Sequence, residues 1–129
     1  MFRHPVAIHA ADIDHMGHVN NAVYLKWVQE AVIDYWRSVA PPNAVAKHLW
    51  VALKHEITFL KPTFLQDKVV AEVIAEKVEG ARAFFHTVLR RGDEVLSEIQ
   101  STWCCLDAAT KRPARLARDV VGRFVPPSA

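Results

Sequence analysis

Hydrophobic residues recur at helical spacing between Ala22 and about Arg37. Apolar positions three and four residues apart lie on one face of an α-helix, and here they form a wide arc. Lys26 and Glu30 lie on the opposite face, at the spacing of an i,i+4 ion pair. We therefore predict one long helix that other elements largely surround and that the segment APPNA ends. The apolar arc consists of Tyr24, Leu25, Trp27, Val28, Ala31, Val32, Tyr35 and Trp36.

After this helix the period of the pattern falls to two residues, which is typical of half-buried β-strands. In the segment WVALKHEITFL, alternation continues along the whole strand. Side chains two positions apart point to the same face of a strand. We therefore expect one face of this strand to carry Val51, Leu53, His55, Ile57 and Phe59.

Three later segments also have strand character, namely KVVAEVIAEKV, ARAFFHTVLRR and EVLSEIQSTWCCLD. Glu79-Gly80 and Gly92-Asp93 lie between them as hairpin turns, which predicts an antiparallel sheet. The first segment, MFRHPVAIHA, is predicted to be a short extended strand, where a proline suits an edge position. The basic tail from about residue 108 is expected to be peripheral, and its end, FVPPSA, to be frayed.

The element order, one short strand, one long helix and four longer strands, predicts an α+β domain. A single helix cannot cover both faces of a five-stranded sheet, so we expect a curved antiparallel sheet that wraps around the helix. The remaining surface is then free to meet a second subunit. The 129 residues fit a single domain, 1–129.

Composition narrows the class of protein. The chain is 51% hydrophobic and 23% charged, with a formal charge of +2, as in ordinary globular proteins. Its basic residues form no stripe of the kind that binds nucleic acid, and no apolar run is long enough to span a membrane. Cys104 and Cys105 are adjacent and point to opposite faces of a strand, so they are poorly placed to bridge each other. With no signal-peptide core at the N-terminus, these features indicate a cytoplasmic protein.

The polar stretch ADIDHMGHVNNAVYLKW, which starts at Ala11, leads directly into the predicted helix. A helix N-terminus offers unpaired backbone N–H groups and the positive end of the helix dipole. Asp14 lies just upstream, so its carboxylate can act as a base or a nucleophile on a carbonyl group bound there. Gly17 lets the backbone turn closely, and Asn20-Asn21 suits the start of a helix.

Other interpretations of the same residues stay open. Asp12 and Asp14 can be turn formers that accept backbone hydrogen bonds, and His15 and His18 can be loop residues, His18 with a hydrogen bond that fixes the loop. His55 lies on an apolar strand face, either as a core histidine with satisfied hydrogen bonds or as a residue that reaches an interface pocket. The His15–His18 spacing alone is not a zinc site, because no third ligand has a suitable spacing.

The segment DIDHMGHVNNAVYLKW resembles the D-x-D-x-x-G-H-V-N-N-x-x-Y motif of hot-dog-fold acyl-CoA thioesterases of the 4-hydroxybenzoyl-CoA thioesterase-like group. EITFLKPTFLQDKVVAEV is similar to that group's second motif. The first motif is matched by Asp12, Asp14, Gly17, His18, Val19, Asn20, Asn21 and Tyr24.

This resemblance implies a hot-dog fold, a homodimer or homotetramer with its active sites at the dimer interface, and hydrolysis of an acyl-CoA without metal or organic cofactor. Asp14 matches the catalytic Asp, and the backbone N–H of Asn21 matches the group that polarises the thioester carbonyl. A second clade uses a helix Glu instead, but the polar position of Glu30 disfavours that scheme. The predicted substrate-binding residues are Gly17, His18, Val19, Asn20, Tyr24 and His55.

Two alternatives to hydrolysis remain at this point. A non-catalytic hot-dog module that binds an acyl thioester does not need Asp14, whereas a thioesterase of this type does. A hot-dog dehydratase is disfavoured, because its usual signature is not evident. Arg90, Arg91 and Lys111 are expected to be solvated, although one of them can contact CoA phosphates.

Overall fold

The computed structural model describes residues 1–125 and contains a five-stranded antiparallel sheet with one long helix. Hairpins connect three of the strands in sequence, and the sheet order is β1-β3-β4-β5-β2. The first and second strands along the chain therefore form the two edges. The strands are β1 (Phe2–Val6), β2 (His48–Phe59), β3 (Val69–Glu79), β4 (Arg82–Arg91) and β5 (Glu94–Asp107).

The long helix, α1, spans Asn21–Val39 and begins one residue before the predicted start. Asn20 caps it by accepting a hydrogen bond from the backbone N–H of Ala22 at 3.0 Å, which satisfies one of the free donors of the first turn. The helix packs its apolar arc against the inner face of the sheet. Its buried residues are Tyr24, Trp27, Val28, Ala31, Val32, Tyr35 and Trp36, whereas Leu25, which the pattern placed in the arc, is exposed.

The predicted faces of β2 are wrong in its first half. The pairing of β2 with β5 shifts between Ala52 and Lys54, so Leu53 is an extra residue in a β-bulge. Because a bulge inserts one residue, it reverses the inward and outward alternation on its two sides. Val51 and Leu53 are consequently exposed, whereas Trp50 and Ala52 pack against the core with Ile57.

Two shorter helices were not predicted. The segment that ends α1 forms a short helix, α2 (Pro42–Lys47), with proline at its first position, where its missing N–H is not needed. The tail is not wholly peripheral either. It contains α3 (Arg118–Phe124), which contacts α1, and Leu116 and Val120 are buried in the core. Of the segment predicted to be frayed, residues 126–129 lie outside the described residues.

The adjacent cysteines are both free, with Cys104 half-buried and Cys105 buried. Burial raises the pKa of the Cys105 thiol to about 12, so this thiol stays neutral and unreactive near pH 7. Among residues 1–125, no helix combines the length and the apolar character that crossing a membrane requires.

Candidate active site

The loop that precedes α1 is fixed by backbone contacts at both ends. Asp12 is buried, and its carboxylate accepts a hydrogen bond from the backbone N–H of His9 at 2.8 Å. Its carbonyl accepts another from the N–H of Asn20 at 2.9 Å. Ile13 and Val19 form an isolated antiparallel bridge. Asp12 is thus a structural residue that closes the loop onto the start of the helix.

Asp14 lies inside this closed loop and is half-buried. Its N–H donates to the carbonyl of His18 at 3.0 Å, and its carbonyl accepts from the N–H of Gly17 at 3.1 Å. The carboxylate Oδ1 accepts from the N–H of Met16 at 2.9 Å. The turn-forming interpretation of Asp14 is therefore correct for one oxygen. Oδ2 has no hydrogen bond to any described residue and is available for chemistry.

Gly17 adopts a φ of +84°, as its predicted role in the turn requires. This left-handed conformation is open to glycine at little cost and strains residues with a branched side chain. A Cβ atom added at Gly17 would meet nothing within 4 Å. The cost of a larger residue here would come from the backbone alone.

Gly17→Val is expected to lower the free energy of unfolding by ~1 kcal/mol or more and to reduce turnover, because the strained turn displaces Asp14. Gly80→Val is the matched control, since Gly80 has a φ of +60° in a hairpin remote from this loop. Urea denaturation should show a similar loss of stability for both variants, with lower activity only for Gly17→Val. Equal turnover in the two variants would show that the loop geometry is not critical.

In the first turn of α1, the backbone N–H of Asn21 is free beside this loop. The N–H of Ala22 is capped by Asn20, and the N–H of Val23 donates to the carbonyl of Asn20 at 2.9 Å. The N–H of Asn21 has no hydrogen-bond partner among residues 1–125. It lies at the positive end of the helix dipole, so it can donate to a carbonyl oxygen that gains negative charge.

A cavity of about 220 Å³ opens at this end of the helix. Its walls come from the two segments that carry the sequence motifs, so the fold brings both motifs to one place. The lining residues are His18, Asn21, Tyr24, Phe59, Leu60, Lys61 and Pro62.

Thr63, which was not among the predicted site residues, holds the two segments together. Its hydroxyl and that of Tyr24 share a buried hydrogen bond of 2.7 Å. Its carbonyl accepts from the N–H of Val19 at 2.8 Å, and it is fully buried. The only sequence signal was its place in the Lys-Pro-Thr turn of the second motif.

A family model described as the thioesterase superfamily matches residues 16–98, more than half of the chain. This chain belongs to the thioesterase superfamily. The predicted family and hot-dog fold are thereby confirmed.

Solved structures share this fold. A thioesterase from Thermus thermophilus, complexed with coenzyme A and Zn, is 26% identical, with a TM-score of 0.81 over 94% of each chain. The probable thioesterase YbaW from Escherichia coli is 19% identical, with a TM-score of 0.80 over 98% of this chain and 100% of its own. A probable thioesterase from Bartonella henselae is 21% identical, with a TM-score of 0.78 over 90% and 97%.

Of the other predicted site residues of this thioesterase-superfamily chain, His18 and Tyr24 line the cavity, whereas the rest do not. Asp14, Gly17 and Asn20 belong to the loop and cap described above, and Val19 is fully buried in the core. His18 does line the cavity, and its Nδ1 lies 3.3 Å from the carbonyl of Val19.

His55 lies farther along β2 on the inner face of the sheet. Its ring contacts Trp103 edge to face at a centroid distance of 5.9 Å. Both of its ring nitrogens are buried and have no hydrogen-bond partner among the described residues. It is therefore not the satisfied core histidine of the first interpretation. Burial lowers its pKa from the usual 6.5, so the ring is neutral near pH 7.

This lowered pKa of His55 predicts a pH-dependent stability. The unfolded state binds a proton more readily than the folded state, so folding loses stability as pH falls below 6.5 toward the folded-state pKa. His55→Leu removes this contribution. The urea midpoint of unfolding should therefore decrease less between pH 7.5 and pH 5 in His55→Leu than in the parent protein. An equal decrease in both proteins would mean that other groups account for the whole loss of stability at low pH.

The three basic residues considered for CoA phosphates are engaged elsewhere. Arg90 donates to Glu72, Arg91 donates to Asp67 at 2.7 Å, and the Lys111 ammonium donates to the carbonyl of Ala108. Lys61 is the cation that lines the cavity, where it pairs with Glu94 at 2.8 Å. Within residues 1–125, no cluster of three or more His, Cys, Asp or Glu side chains is arranged for a metal ion.

Proposed function

We propose that this chain is an acyl-CoA thioesterase that hydrolyses a thioester to a free carboxylic acid and CoA. The observation that carries this proposal is the unpartnered N–H of Asn21, a residue that lines the cavity, together with the free Oδ2 of Asp14 in the loop that leads into the same helix end. Membership of the thioesterase superfamily supports thioester hydrolysis in general. The coenzyme A held by the Thermus thermophilus structure supports CoA as the thiol carrier.

In the proposed mechanism the thioester carbonyl oxygen accepts a hydrogen bond from the Asn21 N–H. As a base, Asp14 takes a proton from water while the water oxygen bonds to the carbonyl carbon. The negative charge moves to the carbonyl oxygen, where the N–H and the helix dipole stabilise it. The tetrahedral intermediate then collapses, the carbon–sulfur bond breaks, and the CoA thiolate takes up the proton.

A nucleophilic role for Asp14 uses the same geometry. Its carboxylate would bond to the carbonyl carbon and expel the thiolate, which leaves a mixed anhydride that water hydrolyses. Both routes need an ionised Asp14 and the same oxyanion donor. Incorporation of labelled water oxygen into the protein carboxylate during a single turnover separates them, because only the anhydride route can label Asp14.

We also propose that two copies pair along the exposed edge of β2. This strand has 12 residues, and among the strands that the structure describes it pairs with β5 alone. Leu49, Val51 and Leu53 are exposed by 42%, 44% and 51%, and a long apolar edge strand is normally covered in a soluble protein. If a second copy is related by a two-fold axis, its β2 can pair antiparallel with this β2, and both exposed edges are then covered. A homodimer is therefore the proposed minimum unit, and two such dimers can associate further into a homotetramer.

The direct test is a screen of the purified protein against short-chain, long-chain and aromatic acyl-CoAs, with thiol release as the measurement. We expect steady release from at least one class. If no thioester is cleaved while one binds tightly, a non-catalytic acyl-binding module becomes the better description. The free Cys104 and Cys105 support a cytoplasmic location, where such thiols stay reduced.

A further inference from the structure

A second cavity, of about 390 Å³, lies at the opposite end of α1 from the catalytic loop. It opens between the last turns of α1, the short helix α2 and the first residues of β2. Apolar and aromatic side chains form most of its wall, which is typical of sites for small organic groups. The residues that matter here are Ile33, Trp36, Arg37, Val45, His48 and Trp50.

Two polar side-chain atoms in this wall lack partners among the described residues. His48 Nδ1 and Trp50 Nε1 are buried and make no hydrogen bond within residues 1–125, although buried polar groups are normally satisfied. Both rings contact Trp36 edge to face, at centroid distances of 6.3 Å and 5.4 Å. These aromatic contacts hold the two rings in the cavity wall.

The charged side chain that lines this cavity is positive. Arg37 lies at its rim and forms no ion pair with any described residue, and no carboxylate of residues 1–125 lines the cavity. Asp107 faces His48 in the strand register. Its Oδ1, however, accepts from the N–H groups of Ala109 and Thr110, at 2.9 Å each. The cavity therefore offers the Arg37 guanidinium and the Trp50 indole N–H to an anionic oxygen ligand.

We propose that this cavity receives the far end of the acyl group and that this end carries a carboxylate, so that the substrate is a monothioester of a dicarboxylic acid. The apolar wall contacts the methylene chain, and Arg37 with Trp50 binds the terminal carboxylate. The inference rests on the proposed thioesterase function and on the pairing of two copies along β2.

The two cavities of one copy are too far apart to share such a substrate. Asn21 and Arg37 are 16 residues apart on the same helix, or about 24 Å at 1.5 Å per residue. Antiparallel pairing of β2 with a second β2 brings the His48 end of one strand to the Phe59 end of the other. Phe59 lines the catalytic cavity. Each complete site therefore combines Asp14 and Asn21 of one copy with Arg37 and Trp50 of the second copy.

The first experiment compares matched substrates, octanoyl-CoA with suberyl-CoA and hexanoyl-CoA with adipoyl-CoA. The parent protein is expected to prefer the carboxylated member of at least one pair by about tenfold to a hundredfold in kcat/KM, as a charged hydrogen bond predicts. Arg37→Gln should reduce this ratio of kcat/KM values to about one. Lys26→Gln, which alters another cation on α1, is the control and should retain it. A parent that prefers the uncarboxylated members overturns the proposal.

Binding separates this proposal from the proposed reaction. S-octyl-CoA thioether and its ω-carboxy counterpart cannot be hydrolysed, so their Kd values by calorimetry do not depend on catalysis. The same preference, lost in Arg37→Gln, supports the cavity assignment even if no thioester is cleaved. Equal Kd values for the two thioethers overturn it even if octanoyl-CoA is cleaved.

Mixed dimers test the assignment of the two cavities to different copies. Chains with Asp14→Asn and with Arg37→Gln are co-expressed with different tags, and the mixed dimer is purified through both. It should contain one intact site and one doubly altered site, and so recover about half of the parent's suberyl-CoA hydrolysis. Activity no higher than that of the Arg37→Gln homodimer would place both residues in one copy and overturn the shared site.

Discussion

Asp14→Asn is expected to reduce acyl-CoA hydrolysis by at least ~100-fold, because a general base or nucleophile typically supplies factors of that size or more. The substitution keeps an oxygen that can accept the hydrogen bond from the Met16 N–H, so the turn should persist. It removes the charge and the basicity that the free Oδ2 provides. The measurement is kcat/KM on the best substrate from the acyl-CoA screen, with circular dichroism as the check on folding.

Asp12→Asn is the matched control for this prediction. Asp12 is buried and accepts a hydrogen bond from the His9 N–H, which an amide oxygen can also accept. We expect it to lose much less activity than Asp14→Asn. Near-parental turnover in Asp14→Asn would refute the assigned mechanism, whatever the effect at Asp12.

The double change Val51→Lys and Leu53→Lys is expected to convert the proposed dimer to a single chain and to abolish activity. In a two-fold interface each substitution is present in both copies, so dimerisation would bury four lysine ammonium groups. Light scattering should show a mass near 14.6 kDa instead of twice that value. Because the proposed site is assembled from two copies, hydrolysis should disappear with the dimer.

Gln100→Lys adds a charge to an exposed position of β5, which lies between β4 and β2 in the sheet, and serves as the control. It should leave mass and turnover near those of the parent. A parent protein that is already a single chain at micromolar concentration contradicts the proposed assembly, since such interfaces normally persist there. A double variant that is monomeric yet fully active would show that one copy holds a complete site.

The sequence predicted the elements whose signals are local. The hairpin turns at Gly80 and Gly92 and the strand β5 were placed correctly, because turn chemistry and alternation are read within a few residues. The helix start was predicted to within one residue from Asn20 and Asn21. The loop at Gly17 was predicted as a tight turn, and its positive φ agrees with that prediction.

The features that the sequence did not reveal depend on contacts between distant segments. The bulge at Leu53 arises from pairing with β5, and one inserted residue leaves no compositional sign. Leu116 and Val120 are buried only because the tail folds back onto α1. The buried bond between Tyr24 and Thr63 joins residues 39 positions apart. The second cavity likewise joins the end of α1 to the start of β2.

The strand order also sets the order in which the chain can fold. The β3-β4-β5 meander is built from neighbouring hairpins, which form quickly, on the microsecond scale. β2 precedes them in the chain but, of the described strands, pairs with β5 alone, through pairs as distant as His48 with Asp107. During synthesis β2 must therefore wait, unpaired and apolar, until the last strand has emerged from the ribosome. We therefore expect β2 to be the segment that chaperones bind and that aggregates most readily before folding is complete. Slower synthesis of β5 should lower the yield of native protein.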